Sequence, residues 1–197
     1  VGVNANAGVA SAGNIKITGS GDIIAETGGI ISNNNGTGKT NITFDGDVTT
    51  TSGFGVSAEN ASGQIDIVTS GQIDTAGAGI SAINDGAGDI NVSTTGAITG
   101  KASTGINATS NGGNLTIDND GAIGDSGNSV TNNGVYAIVA KGSGTATVKG
   151  SGAIFAGGDG VSVAVNAPAT GADVNIDLPA TGDIVAGSVG IRVTVDA

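Results

Sequence analysis

The chain has 197 residues and a net charge of −11, with 38 Gly, two Pro, three Phe, one Tyr and no Trp, Cys, Met or His. So little bulk cannot fill an ordinary rounded core, and the lack of Cys excludes a disulfide scaffold, a thiolate metal site and a cysteine nucleophile. Six Lys and Arg against 17 Asp and Glu give no clustered cations for nucleic acid or an anionic membrane. No apolar run approaches the ~18 residues that span a bilayer as a helix.

The acidic balance accounts for solubility, and more specifically it suits a partner with a basic patch. Disorder is disfavoured because charged residues are only 12% and mean hydropathy is +0.19, and because Ile and Val keep phase along the whole chain. With no Met and no charged, apolar leader at Val1-Gly2-Val3-Asn4, the expectation is a processed piece of a longer chain.

A frame recurs. Gly21, Gly46, Gly71, Gly96 and Gly121 fall 25 residues apart, and Gly152 and Gly182 follow at 31 and 30. An aliphatic follows two residues later: Ile23, Val48, Ile73, Ile98, Ile123, Ile154, Ile184. Another precedes by four: Ile17, Ile42, Ile67, Val92, Ile117, Val148, Leu178. A period of this length signals a solenoid.

Within a unit, three short strands are expected, because apolar residues alternate at period two and Gly and Asn interrupt every run. The first opens at Gly2, Gly29, Gly55, Gly79, Gly105, Gly134, Gly160 and Gly190. Each of these is followed by an inward Ile or Val and then, two further on, by a small inward residue such as Ala58 or Ala82. The second carries Ile15, Ile65, Ile90, Leu115 and Ile176, two places before the aliphatics already named. Its other face carries Lys16, Asn41, Asp66, Asn91, Thr116, Thr147 and Asp177. The inside is read as apolar and small, the outside as polar. Turns such as Asn33-Asn34-Asn35-Gly36 and Asn111-Gly112-Gly113 close the corners.

Stacking these units predicts an all-β fold: a right-handed parallel β-helix, or solenoid, of about seven to eight coils of roughly 25–30 residues with three short strands per coil. The right hand is read from coil length and the missing hexapeptide repeat. One repeat domain, residues 1–197, is expected. On this frame Ile98→Asp should be severe and Asn91→Asp mild.

The departures from the frame are the candidate functional positions. Extra residues between Gly121 and Gly134 predict a protruding loop at 124–133. Asp125, Asn128, Thr131 and Asn132 are its candidate binding residues, joined by Tyr136, which alternation turns outward. Phe44 takes an inward place held elsewhere by Gly19 and Thr69, and Phe155, beside inward Ile154, faces out.

No catalytic set is legible. Asp22, Asp47 and Asp183 are equivalent outward carboxylates, but nothing aromatic accompanies them as a sugar platform. There is no His base and one Arg, Arg192. Asp118-Asn119-Asp120-Gly121 lacks the rest of an EF-hand loop, and Gly157-Gly158-Asp159-Gly160 occurs once where a calcium nonapeptide works by repetition. The outward series Thr18, Thr43, Val68, Ser93, Asp118, Lys149, Pro179 is too irregular for an ice-binding ladder. The reading is therefore a non-enzyme with no cofactor and no metal site.

The recurring Gly-Ile/Val-x-Ala, Gly-x-Ile/Leu-x-Ile/Val and Thr/Ser-Gly-x-Ile pieces, together with abundant Gly, Asn, Thr and Ser and absent Cys, resemble the passenger domains of Gram-negative autotransporters, of pertactin-like and haemagglutinin-type adhesin style. The resemblance implies a rod secreted from, or displayed on, the outer surface of a Gram-negative bacterium and acting in adhesion or host-cell interaction. The implied partners are a host-cell surface protein or glycan, or a second copy of the rod, with no nucleic acid and no direct membrane insertion. A released soluble effector binding a host receptor is the alternative. A structural spacer or a polysaccharide-cleaving β-helix enzyme stands behind it.

Overall fold

A strand of alternating apolar and polar residues that is only about five residues long is not stable alone, and a glycine-rich turn at each end sends the chain around to meet itself one period later. The computed structural model, which describes residues 1–9, 11–166, 172–179 and 182–196, shows the result: an all-β, parallel β-solenoid of about seven turns with no helix among those residues.

The turns contribute their strands to three faces, the fifth turn giving the third face only isolated bridges. The first sheet stacks Val3–Ala7, Gly28–Asn34, Phe54–Asn60, Ile80–Asn84, Ile106–Ser110, Val135–Val139, Val161–Val165 and Ile191–Val195 in chain order. The second stacks Ile15–Gly19, Thr40–Phe44, Ile65–Thr69, Ile90–Thr94, Leu115–Asn119, Ala146–Lys149 and Val174–Asp177. The third is broken. Ile23–Ala25, Val48–Thr50, Ile73–Asp74 and Ile98–Thr99 form one part, and Ile154–Ala156 with Ile184–Ala186 form the other. Between them Ile123 makes only single bridges to Ile98 and Ile154.

Pairing is in register, so like stands on like. Ile80 lies between Val56 and Ile106, Ala82 between Ala58 and Ala108. The inward aliphatics make one continuous core, with Ile30, Ile65, Ile80, Ile98, Ile106, Leu115 and Ile123 all 0% exposed. Burying each such side chain stabilises by about 1.5–3 kcal/mol.

Two ladders of glycine set how tightly the rungs close. A Cβ on Gly79, Gly105 or Gly134 would lie within 3.0 Å of the Cγ2 methyl of Ile98, Ile123 or Ile154 and of the next rung's carbonyl oxygen. The third-strand Ile therefore packs directly on first-strand backbone. In the frame series, a Cβ on Gly46, Gly71, Gly96, Gly121 or Gly152 would lie equally close to the carbonyl oxygen of the frame glycine one rung before. The frame glycine is there for close approach of backbone to backbone, and none of those five has a positive φ.

The interior is less purely apolar than the alternation implies. Its corners carry buried polar ladders. Asn34, Asn60, Asn84 and Ser110 occupy one register position. Their side chains cap the turn that follows: Asn34 Nδ2 donates to Gly38 O at 3.0 Å while its Oδ1 accepts from Gly36 N at 3.1 Å. Asn60 bonds Gly63 O and Asn84 accepts from Gly86 N. At other corners Thr50 Oγ1 donates to Thr75 Oγ1 at 2.7 Å and Thr69 to Thr94 at 3.0 Å. Phe44 is 5% exposed and fills the place of Gly19 and Thr69.

Three sequence expectations are corrected. In the last rung Val174 pairs with Ala146 and Ile176 with Val148, so Ile176 takes the place assigned to Leu178. A slip of two preserves inside and outside. Asp177 thus stands beside Lys149, not Thr147. The outer face is not wholly polar either, since Ile31, Ile83, Ile138 and Ala164 lie half-buried on the outside of the first sheet. Finally, Asn91→Asp is a poor silent control: Asn91 Nδ2 donates to Asp66 Oδ1 at 2.8 Å, and the change would set two carboxylates side by side.

Ile98→Asp is expected to lower stability by ~4 kcal/mol or more, or to prevent folding, by placing an unpaired charge in the core. Gly96→Ala should cost about 1–3 kcal/mol through overpacking against the neighbouring rung. Thr116→Asn, on the outer face, should stay within about 0.5 kcal/mol. Urea unfolding followed by circular dichroism measures all three, and equal midpoints would contradict the inside-outside assignment.

Candidate functional site

The outward carboxylates of the turns bind the backbone of the next rung. Asp22 Oδ1 accepts from Asp47 N at 3.1 Å and Asp47 Oδ1 from Gln72 N at 2.7 Å. Asp89 does the same for Asn114 N, and Asp120 for Ser151 N and Oγ. The Ser151 amide holds the Asp120 carboxyl below the usual carboxylate range. Asp118, between its two frame neighbours, pairs with Lys149 Nζ at 2.8 Å. Its hydrogen bond raises the Lys149 pKa, and the charges of Asp120 and Asp177 add to that. Asp159 accepts from Val189 N at 3.2 Å and from Arg192 Nε at 2.6 Å. Of the acidic positions flagged by the sequence, Asp22, Asp47, Asp118, Asp120 and Asp159 are thus engaged with neighbouring rungs through their side chains. Among the described residues no three Asp or Glu side chains gather around a point that would hold a metal ion.

The departure from the stack is at the gap in the third sheet. In the second rung Val48, Thr49 and Thr50 pass inward, outward, inward. In the fifth rung the inward places are held by Ile123 and Val130, both 0% exposed, and six residues, Gly124 to Ser129, replace the single outward one. Gly124 takes a φ of 67° to begin the excursion and donates to Ile98 O. Asp125 to Ser129 are all exposed. Val130 then re-enters the core and bridges to Ala156.

The excursion is built as a closed turn. Asp125 Oδ1 accepts from Gly127 N at 2.7 Å and from Asn128 N at 2.8 Å, and the backbones of Asp125 and Asn128 exchange hydrogen bonds. The Gly127 and Asn128 amides hold the Asp125 carboxyl below its ordinary value, so it is ionised at neutral pH. The Asn128 side chain adds a third, weaker hydrogen bond to the same carboxylate.

This turn forms one wall of a groove of about 400 Å³. Asp125, Ser126 and Ser129 line the wall, and Phe155 and Val185 present their side chains from the next two rungs. Ala156, Gly157, Ala186 and Gly187 keep the rest of the lining shallow and small. Phe155 and Val185 are directly paired in the ladder, and Val185 is 54% exposed.

Compared with protein-family models, curated protein sequences and solved structures, the chain matches none.

Of the residues proposed from sequence, Asp125 and Asn128 lie in the closed turn, and Asp125 alone lines the groove. Thr131 and Asn132 are exposed but belong to the rung itself, donating backbone N–H groups to Ala102 O and Ser103 O. Tyr136 is half-buried on the outer face of the first sheet between Asn107 and Ser162. Within the loop predicted at 124–133, the excursion runs over Asp125 to Ser129, Val130 turns into the core, and Thr131 and Asn132 are exposed on the rung that resumes. Sequence reasoning noted Phe155 as an outward departure but named neither it nor Ser126, Ser129 or Val185 as a binding residue. A signal for Phe155 and Val185 existed: they follow Ile154 and Ile184, at outward places held by Thr49, Asp74 and Thr99 in earlier rungs.

The Asp159–Arg192 pair makes stability depend on acid. The Arg192 guanidinium holds the Asp159 carboxyl below its unfolded value of about 3.9. The pair's contribution is therefore complete above pH ~4 and is lost as pH falls through the lowered value. Asp159→Asn should reduce stability at neutral pH and flatten the fall in stability below pH ~4; acid titration followed by circular dichroism compares the two chains.

Proposed function

We propose that this chain is a rod segment of an exported, surface-displayed or secreted β-helical passenger protein, acting in adhesion or host-cell contact through the groove beside the Asp125 to Ser129 turn. The reading is supported most by one observation: the stack leaves its frame at an exposed turn closed by its own hydrogen bonds, and that turn walls a groove with paired outward Phe155 and Val185. Recognition sites are commonly loops carried on a rigid scaffold, and exposed aromatic and aliphatic side chains in a concave place anchor partners. The carboxylates of Asp47, Asp89 and Asp120 are occupied with the next rung, which leaves those three poorly placed for general acid and base work.

Export suits the same features. A chain whose strands pair only with adjacent rungs can fold progressively from one end, each rung templating the next. The absence of Cys also removes crosslinking as a hazard in an oxidising compartment.

The test is a shortened chain in which Gly124 to Ser129 are replaced by a single Thr, restoring the inward-outward-inward pattern of the second rung. Its unfolding midpoint should stay within about 1 kcal/mol of the parent, because Ile123 and Val130 keep their places. Its retention on cultured epithelial cells or on bacterial cells should drop at least about ten-fold, a loss of ~1.4 kcal/mol. Undiminished retention would remove the groove from the function, and no retention of the parent chain on any of these surfaces would remove adhesion.

A further inference from the structure

We propose that the groove between the Asp125 to Ser129 turn and Phe155 and Val185 receives an arginine side chain presented by a protein partner. The inference rests on the groove being the contact site and adds the chemistry of what enters it.

On the side of the turn the main chain of the groove is already paired. Phe155 N donates to Ile123 O, Phe155 O accepts from Val130 N, and Gly187 N donates to Ala156 O. Residues 154–156 pair with 184–186. The other edge of 184–186 pairs with no strand among the described residues, and a strand added there would extend the stack; the groove itself is walled by side chains. Those side chains are an aromatic ring, a branched aliphatic, two serine hydroxyls and one carboxylate.

Charge selects among the occupants. The groove lining contains one formal charge, that of Asp125, and no cation, on a chain of net charge −11. An anionic ligand meets repulsion from both. The turn fixes Oδ1 of Asp125 through two backbone amides, which orients the carboxylate, and its exposure leaves it open to a donor from outside. Beside it, Phe155 supplies a π face and Val185 an apolar surface. An arginine satisfies both kinds of wall at once. Its aliphatic stem covers apolar surface, its planar guanidinium stacks on an aromatic ring, and its fork of N–H donors matches a carboxylate. Lysine offers the stem and the charge but neither plane nor fork, so it should bind more weakly.

The test is a titration of the full 15N-labelled chain with acetyl-Gly-Arg-Gly-amide, read by amide chemical shifts. The same peptide carrying citrulline is the neutral isostere, and lactose serves as a glycan probe. The expected result is shifts confined to Asp125 to Ser129, Phe155, Val185 and their neighbours, saturating by about 50 mM. Citrulline peptide, Asp125→Asn and Phe155→Ala should each weaken binding about five-fold, and raising salt from ~0.05 M to ~0.5 M should weaken the arginine peptide further. Asp125→Asn keeps an Oδ1 acceptor for the turn, and an unchanged spectrum of the turn amides checks that it does. Equal binding of citrulline, equal binding by Asp125→Asn, no confined shifts, or lactose alone shifting these amides would each overturn the proposal. In the adhesion assay the two readings fail separately. If replacing the turn abolishes retention but Asp125→Asn does not, the groove stands and the arginine falls. If replacing the turn changes nothing, the groove itself falls.

Discussion

The structure depends on the close, in-register approach of one rung to the next. Parallel strands sit about 4.8 Å apart, and every turn must cross at that same spacing. The frame glycines from Gly46 onward meet this condition, since each lies against the carbonyl oxygen of the glycine one rung before, with no room for a Cβ. The glycines that open the first strands meet it sideways, taking the Cγ2 methyls of Ile98, Ile123 and Ile154 against bare backbone. The repeat length, the narrow aliphatic core and the low content of bulky residues all follow from this spacing.

Polar groups are subordinate to the same constraint. A corner of the rod takes backbone out of the strand ladders, and buried N–H and C=O groups must then be paired elsewhere. Asn34, Asn60 and Asn84 do this from inside, while Asp47, Asp89 and Asp120 do it from outside by reaching the amide of the next rung. The acidic surface of the rod is in part a consequence of how its turns are satisfied. The ladders change where the rungs change: the inward place of Asn84 and Ser110 passes to Val139 and Val165 beyond the fifth rung.

Recognition, in this view, begins where repetition is interrupted. The third sheet tolerates six residues in place of one because the replaced residue pointed to solvent and both flanking residues, Ile123 and Val130, keep their inward places. The excursion needs its own internal pairing, which Asp125 supplies. The rod holds this turn beside Phe155 and Val185 at a fixed distance set by the rung spacing.

The sequence by itself determined the fold class, the strand faces and the position of the interruption, because all three are local: alternation at period two, glycine at fixed offsets, and an excess of residues between two frame glycines. The candidates Asp125 and Asn128 were legible for the same reason. The tertiary structure alone decided the rest. Register in the last rung went to Val174 and Ile176 because a slip of two leaves alternation unchanged, so the pattern does not distinguish them. Tyr136, Thr131 and Asn132 are near the turn in sequence but stand on other parts of the rung. Phe155 and Val185 are about 30 and 60 residues away from it and stand beside it, since in a solenoid one period along the chain is a single strand spacing in space.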